Sequence, residues 1–354
     1  MVQEQGSKKQ ELRGLMMIEI KDSIDREKWD DFVFKHPKGN IFQTSYMADV
    51  YSSTKNYEPI SLAAVDSENG EILAVLLAVI VRDAAGLIGS ISSRSIINSG
   101  PIFIEDKKGF EAVTQLLNYY EQLLHNRAIY TQVRNIWDME NARNTLETLG
   151  YQYEPHLNYL IDLDRPSEEM WKNIHKARRK GINRAEKIGI GFRKIENRNE
   201  IKDCYRLIEE TYKNVRLPLA DISLLESAYN KFFDAGFIDF YLAILDGEVV
   251  GSRVVLKYKG MVHDWYAGSK QEINYVNEAV VWHMICEYSE KEKVFDFGGA
   301  GHPDKPYGVR EFKKRFGGEE VNYGRYEKVH DRGKKEILNI GVKAYKKLNL
   351  SRVL

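Results

Sequence analysis

Cysteine is scarce: Cys204 and Cys286 are the two in 354 residues, far apart and with no Cys-x-x-Cys or histidine pairing around them. That excludes a disulfide framework and a zinc-finger site, and it fits two small buried thiols in a reducing compartment. Charge of one sign is missing too, because 52 Lys and Arg balance 52 Asp and Glu to a formal net charge of +0. Bulk nucleic-acid binding is not indicated, DNA is not an expected partner, and any polyanion must be met by local basic patches. No long apolar run is present. The most hydrophobic stretch, ILAVLLAVIV at 72–81, is half the ~20 residues that a membrane-spanning helix needs. Its branched side chains suit a buried strand instead. No secretory leader opens the chain, whose first 15 residues are polar and charged, so the expected location is cytoplasmic. Ser–His–Asp orders, metal-ligand spacings and Walker-type phosphate loops are also absent.

What is present is enough apolar material for a large core, 43% of residues, in a length that suits two domains better than one. An internal repeat supports that division. Asn69-Gly70-Glu71 precedes ILAVLLAVI, and Asp246-Gly247-Glu248 precedes VVGSRVVLKY; both turns are strong hairpin signals. Each hairpin is followed by a helix and a strand, VTQLLNYYEQLLHNRAIYTQVRN in the first half and AVVWHMICEYSEKEKVFDFGG in the second. Each half then closes with a polar helix, a glycine and two short strands, ARNTLETLGYQYEPHLNYLIDL and REFKKRFGGEEVNYGRYEKV. Two copies of one supersecondary unit are expected.

The second copy contains the most informative segment, VFDFGGAGHPDKPYGVREFKKRFGGEEVNY at 294–323. An apolar strand (Val294, Phe295, Phe297) enters a turn with Gly298, Gly299 and Gly301, followed by a basic helix with Arg310, Phe312, Lys313, Lys314 and Arg315 and a stop at Gly317 and Gly318. Glycines let a ligand approach the main chain, and a helix start offers free N–H groups to an anion. The same layout also serves as a plain connector in an α/β domain.

The wording FDFGG followed by F-K-x-x-F-G-G-E resembles the C-terminal signature of the FemAB-like aminoacyl and peptidyl transferases, within the wider GNAT acyltransferase superfamily. A second stretch, WKNIHKARRKGINRAEKIGIGFRKI at 171–195, is similar to the segment that opens the second domain there and in BioF2-like acetyltransferases. On its own terms it reads as one amphipathic helix, with Trp171, Ile174, Ile182, Ala185 and Ile188 on one face and basic residues on the rest, stopped at Gly189. A solvated face and a phosphate contact are equally good readings of that basic side. The resemblance implies an α/β (α+β) fold of two tandem GNAT-like domains, each a mixed central sheet flanked by helices. It places them at 16–160 and 161–328, ahead of a basic helical tail at 329–354. It further implies that Lys313, with Phe312 beside it, lies at the reaction centre, and that Lys176, Arg178 and Arg179 contact a phosphorylated acceptor. Arg310 is a further candidate anion contact. A lysine at a helix start would suit an oxyanion, its charge adding to the helix dipole.

Weaker candidates lie nearby. HDWYAGS at 263–269 reads as a strand whose alternation puts His263 and Trp265 on one face, where they could line a cleft. Asp296, between two phenylalanines, could act as a base or hold the loop through backbone N–H groups, the second being the commoner role. The chain departs from coenzyme A-dependent GNAT sequences after MVHDWYAGS: KQEINYVNEAVVW stands where a glycine-rich pyrophosphate turn is expected. It also lacks a lysine expected near FQTSYMADVY, and the interval from Tyr212 to Phe237 is too short for the coiled-coil arm of some members.

Three functions follow. The first is an N-acyltransferase of FemAB/GNAT type, moving an amino acid from aminoacyl-tRNA to an amine of a small-molecule or lipid-linked, peptidoglycan-like precursor. The second is an acyl-CoA-dependent, BioF2-like N-acetyltransferase acting on an amino sugar or small amine. The third is a non-catalytic tandem-GNAT binding module, against which the intact Lys313 signature argues. No tightly bound cofactor and no metal is expected; aminoacyl-tRNA or acyl-CoA serves as co-substrate. Residues 333–350, GKKEILNIGVKAYKKLNL, form a basic amphipathic pattern that suits packing on the first domain, with peripheral contact with an anionic membrane as the alternative.

Overall fold

The structure, a computed structural model, describes residues 18–82, 93–338 and 340. The chain begins with β1 (Ile18–Lys21), α1 (Arg26–Lys35), α2 (Ser45–Ser52), β2 (Tyr57–Asp66), β3 (Ile72–Val81), β4 (Arg94–Asn98) and β5 (Ile102–Phe103). It continues with α3 (Lys107–Leu123), β6 (Tyr130–Arg134), α4 (Glu140–Thr148), β7 (Gln152–Glu154), β8 (Asn158–Asp162), α5 (Ser167–Asn173), α6 (Lys176–Lys187), β9 (Gly191–Lys194), α7 (Ile201–Val215) and α8 (Ser223–Phe232). Then follow β10 (Ile238–Leu245), β11 (Glu248–Tyr258), β12 (Met261–Ser269), α9 (Val276–Tyr288), β13 (Val294–Gly299), α10 (Gly308–Lys314), β14 (Glu319–Val321) and β15 (Arg325–Val329). Two compact units result, one holding residues up to Ser52 with Asn56–Tyr153 and Arg325 onward, the other Ser53–Lys55 and Glu154–Gly324.

The first unit is an eight-stranded mixed sheet in the order β1-β2-β3-β4-β6-β15-β7, with β5 beside β3. All ten residues of β3 are buried, so the apolar run at 72–81 is a central strand, as its composition predicts. Helix α3 starts where Asp106 accepts a hydrogen bond from Gly109 N at 2.7 Å. Its Ala112, Val113, Leu116, Leu117 and Tyr120 recur at helical spacing and join the core of this sheet. Residues 332–338 are helical and belong to the first unit, where Lys335 lies 3.1 Å from Glu327 and over the Tyr130 ring. The rest of the amphipathic pattern, 341–350, and residues 16 and 17 lie outside the described residues.

The second unit is a seven-stranded mixed sheet in the order β14-β8-β13-β12-β11-β10-β9. Its core gathers Val262, Phe295 and Phe297 from the sheet with Val280, Val281, Met284 and Ile285 of α9. Helix α7 settles on β12 at Gly268, where a Cβ would stand 2.4 Å from the Leu207 and Ile208 backbone, so any other residue would lift the helix off. Each half thus shows the hairpin, helix, strand, helix, strand order that its sequence repeats. The final strands do not stay home, however: β8 lies between β13 and β14, and β15 lies between β6 and β7.

The stretch 171–195 differs from the single amphipathic helix its periodicity predicts. Two helices, α5 and α6, meet at Ile174 and His175, which are extended, and His175 Nδ1 caps α6 by accepting from Ala177 N at 3.2 Å. A cap inside the stretch breaks the phase, so Trp171 and Ile174 do not share a face with Ile188, which is 50% exposed. Gly189 does end α6, in the left-handed conformation. Of the cysteines, Cys204 is buried, with its thiol pKa pushed up to about 12 by that burial, whereas Cys286 is half-buried.

Candidate active site

The site grows from a parallel pair of strands joined through α9. β12 and β13 pair at Met261 with Val294, Val262 with Phe295 and His263 with Asp296, and there the ladder stops although β12 runs on to Ser269. A bulge explains the divergence. On the other side of β12, Val255 pairs with Asp264 but Val254 pairs with Tyr266, which leaves Trp265 as the extra residue. The strands therefore fork just past His263 and Asp296 and part toward their carboxyl ends, the side on which open α/β sheets hold ligands. The bulge also interrupts the alternation that would put His263 and Trp265 on one face; Trp265 is half-buried and meets Tyr266 edge to face at 5.0 Å.

Asp296 is fully buried at the crotch of this fork. One carboxylate oxygen accepts from Asn158 Nδ2 at 2.5 Å and from Gly298 N at 2.7 Å; the other lies 2.8 Å from His263 Nδ1. Burial is the largest influence on this carboxyl and would raise its pKa, but His263, Asn158 and the Gly298 N–H together hold it below its ordinary value. Holding the loop, the commoner role for such an aspartate, is thus part of what it does, and pairing with His263 is the other part. Gly298 has φ +68°, the left-handed region, which carries the chain back so that its N–H reaches the Asp296 side chain.

Lys313 stands in the last turn of α10, not at a helix start, because the helix spans only Gly308–Lys314. The helix dipole therefore acts on it in the opposite sense to that expected at a helix start, because its charge meets the carbonyl end of the helix. Its side chain is nearly buried, 9% exposed, and Nζ donates to the carbonyls of Phe297 (2.6 Å), Gly298 (3.1 Å) and Gly299 (2.9 Å). Lys313 is the clamp of the glycine turn. Arg310 is likewise occupied, its guanidinium donating to the carbonyls of Ala300, His302, Pro303 and Lys305, which makes it the organiser of the loop between β13 and α10.

The basic cluster of α6 divides. Lys176 is exposed at the first helical position, and Arg179 is half-buried with one guanidinium nitrogen 3.4 Å from the Trp171 carbonyl. Arg178 points inward and is 7% exposed. It stacks over the Phe312 ring at 4.2 Å, pairs with Glu278 at 2.5 Å and donates to the Phe312 carbonyl at 3.2 Å. Burial lowers its pKa, against the pull of Glu278. Phe312, half-buried, also packs against Phe316 at 5.4 Å, and Arg178 lies over that ring too, at 5.1 Å.

Three residues of this neighbourhood escaped the sequence reading. Arg253 and Asp264 form a buried pair on β11 and β12, with the Arg253 guanidinium 6.0 Å from the Phe312 ring. A single arginine inside the apolar strand VVGSRVVL is the signal that was available. Asn158, whose amide holds Asp296, carries no such signal. Beyond β12, Tyr275 is left-handed (φ 71°) and Glu278 occupies the first turn of α9, so a carboxylate sits where a pyrophosphate cradle would need bare N–H groups. Among the described residues no group of three His, Cys, Asp or Glu side chains could hold a metal ion, and no helix is long and apolar enough to cross a membrane.

A mixed sheet forked between parallel strands, with a helix crossing between them, has the layout of a GNAT-type fold, and residues 172–314, within the second unit, match the family model described as "Acetyltransferase (GNAT) domain". The chain is 19% identical over 297 residues to the UDP-N-acetylmuramoylpentapeptide-lysine N(6)-alanyltransferase of Weissella viridescens, covering 80% of this chain and 86% of that protein. It is 23% identical over 258 residues to the lipid II:glycine glycyltransferase of Staphylococcus epidermidis, covering 65% of this chain and 57% of that protein, a little over half its length. Among solved structures, FemX superposes with a TM-score of 0.67 at 15% identity, covering 90% of this chain and 99% of that one. A tandem GNAT protein from the clavulanic acid biosynthesis pathway does so with 0.52 at 9% identity, covering 88% and 98%. The fold is thus a tandem GNAT fold, and the relatives are aminoacyl transferases of the Fem kind.

Proposed function

We propose that this protein forms an amide bond by moving an aminoacyl group from aminoacyl-tRNA to an amine on a peptidoglycan-like, cell-envelope precursor. The observation that carries the donor half of this reading is the start of α9. That helix opens on left-handed Tyr275 without a glycine-rich turn, and the Glu278 carboxylate, paired to Arg178, occupies its first turn, so a coenzyme A pyrophosphate finds no open N–H cradle there and a carrier with a larger surface of its own supplies the affinity. The acceptor half rests on the relatives, whose activities are alanyl transfer to a lysine and glycyl transfer to lipid II.

In this reading the fork between β12 and β13 receives the ester and the amine. Lys313 holds the turn Phe297–Gly299 rigid and places a fixed positive charge under the fork, where it stabilises the tetrahedral oxyanion through space. Phe312, packed against Arg178 and Phe316, shapes the wall. Lys176 and Arg179 contact phosphate groups from the rim. The assay is transfer of labelled amino acids from total charged tRNA to a lysine-bearing UDP-muramyl pentapeptide and to lipid II, with and without ribonuclease, beside acetyl-CoA. Transfer that ribonuclease abolishes is expected. Micromolar acetyl-CoA binding, or transfer that survives ribonuclease, overturns the tRNA donor.

A further inference from the structure

We infer that His263 is the general base that takes the proton from the attacking amine, and that Asp296 is the positioning residue that fixes its tautomer. The inference rests on the amide-forming reaction proposed above, but not on which carrier delivers the acyl group.

Three features of the pair go beyond a satisfied core histidine. First, the two residues are direct partners in the parallel ladder and form its last rung, so the imidazole stands where the strands part. Second, the carboxylate divides its work: one oxygen is consumed by Asn158 and the Gly298 N–H, and the other is left to His263 Nδ1. An ionised carboxylate only accepts, so Nδ1 carries a proton, and in the neutral imidazole the lone pair is then on Nε2. Third, the Nε2 edge faces the glycine turn. A Cβ on Gly298 would lie 3.7 Å from His263 Cε1 and 3.9 Å from Nε2, so the basic nitrogen borders the turn that Lys313 clamps. The His263 side chain is 14% exposed, while Asp296 is wholly enclosed. A base at the mouth and its anchor inside is the arrangement that general-base catalysis requires.

The step balances without a further reagent. As the amine nitrogen bonds to the acyl carbonyl carbon, Nε2 takes one N–H proton. As the C–O bond of an aminoacyl ester, or the C–S bond of an acyl-CoA, breaks, the imidazolium returns that proton to the leaving oxygen or sulfur, giving amide and alcohol or thiol with His263 neutral again.

The test uses the full chain, His263→Gln and Asp296→Asn, and whichever of charged tRNA or acetyl-CoA supports wild-type turnover. The acceptors are a lysine-bearing UDP-muramyl pentapeptide and hydroxylamine, which is largely unprotonated at neutral pH and a strong nucleophile without help. His263→Gln is expected to lower kcat for the lysine amine by ~10²–10⁴-fold, the range of general-base contributions, while hydroxylamine transfer and the donor KM change little. Asp296→Asn should lose part of the same factor. An undiminished kcat, or equal losses with both nucleophiles, overturns the base. A second readout needs no turnover: ¹⁵N-histidine NMR of the resting protein should show His263 as the Nδ1–H tautomer, lost in Asp296→Asn, and an Nε2–H tautomer in the wild type overturns the assignment by itself. Loss of the tRNA reading through ribonuclease-resistant transfer leaves both readouts intact.

Discussion

The two units repeat one topology, yet one fork is shut and the other open. In the first unit the parallel pair β4 and β6 is laddered along its whole length, from Arg94 with Tyr130 to Asn98 with Arg134. Buried Gln43 ties β4 to β3 beside it, donating to the carbonyls of Leu77 (3.1 Å) and Asn98 (2.9 Å) and accepting from Leu77 N (2.7 Å). The second unit stops pairing after three rungs, because the Trp265 bulge turns β12 aside. The third rung is Ile96 with Gln132 in the closed fork and His263 with Asp296 in the open one. Four residues before the left-handed glycine that follows each helix stand Leu146, fully buried in apolar packing, and Lys313, bonded to three carbonyls. The bulge in β12, the register break in β13 after Asp296, one titratable rung and one lysine separate the closed fork from the candidate site. The fold alone does not create chemistry here.

The comparison is tested most severely at those helix positions. Lys313→Met should lower transfer by at least ~100-fold, the scale of losing an electrostatic stabiliser. It should also destabilise by roughly 2–4 kcal/mol, because three carbonyls lose a charged donor, a loss that urea titration would record. Leu146→Met, in the closed fork, should cost under about 1.5 kcal/mol and leave transfer unchanged. Similar losses of transfer at the two positions would erase the distinction between the units.

Acid should separate the units next. His330, in the first unit, has its pKa lowered to about 4 by burial, so the folded state resists its protonation. Between that value and the usual ~6.5 of histidine the unfolded chain binds more protons, and stability falls as pH falls through this window. Asp296, in the second unit, has its pKa held below the ordinary carboxylate value. Its contribution is complete above that ordinary value and is lost only as pH drops through the folded-state value. Unfolding followed by tryptophan fluorescence from neutral pH downward should therefore show a first loss that His330→Gln removes and a later one that Asp296→Asn removes. The reverse order would contradict the burial and pairing described.

The smallest effect is expected at the turn itself. Gly298→Ala has room, since the nearest atom would be 3.6 Å away, but φ +68° costs a side chain about 1–2 kcal/mol. Circular-dichroism melting should show that modest loss, with a larger one in transfer because the new methyl would lie against His263. A melt unchanged from wild type would mean that the turn is not held as described.

Local pattern revealed what is local. The repeat, the hairpin turns at Gly70 and Gly247, the buried strand at 72–81 and the glycine turn beside Lys313 all depend on neighbours in sequence. What escaped is set by register between distant segments. His263 and Asp296 become partners only because two parallel strands align, and no period in either strand announces that alignment. Arg178 reads as part of a solvated face until Phe312 and Glu278 arrive from far along the chain to bury it. The break at His175 and the position of Lys313 in the last turn of α10 are failures of helix phase, the quantity that a capping side chain or a short helix alters most easily.

The placement of β15 has a consequence for how the protein is made. A ribosome that has finished residues 18–153 has delivered nearly every strand of the first sheet except the one that belongs between β6 and β7, and that strand comes only at Arg325–Val329. Until then β6 and β7 expose backbone edges that later sequence must cover, a state prone to wrong pairing and to chaperone capture. The half without the candidate site is synthesised first but closes last. A stop codon shortly after residue 324 would therefore spare every residue of the fork in the second unit and damage the first.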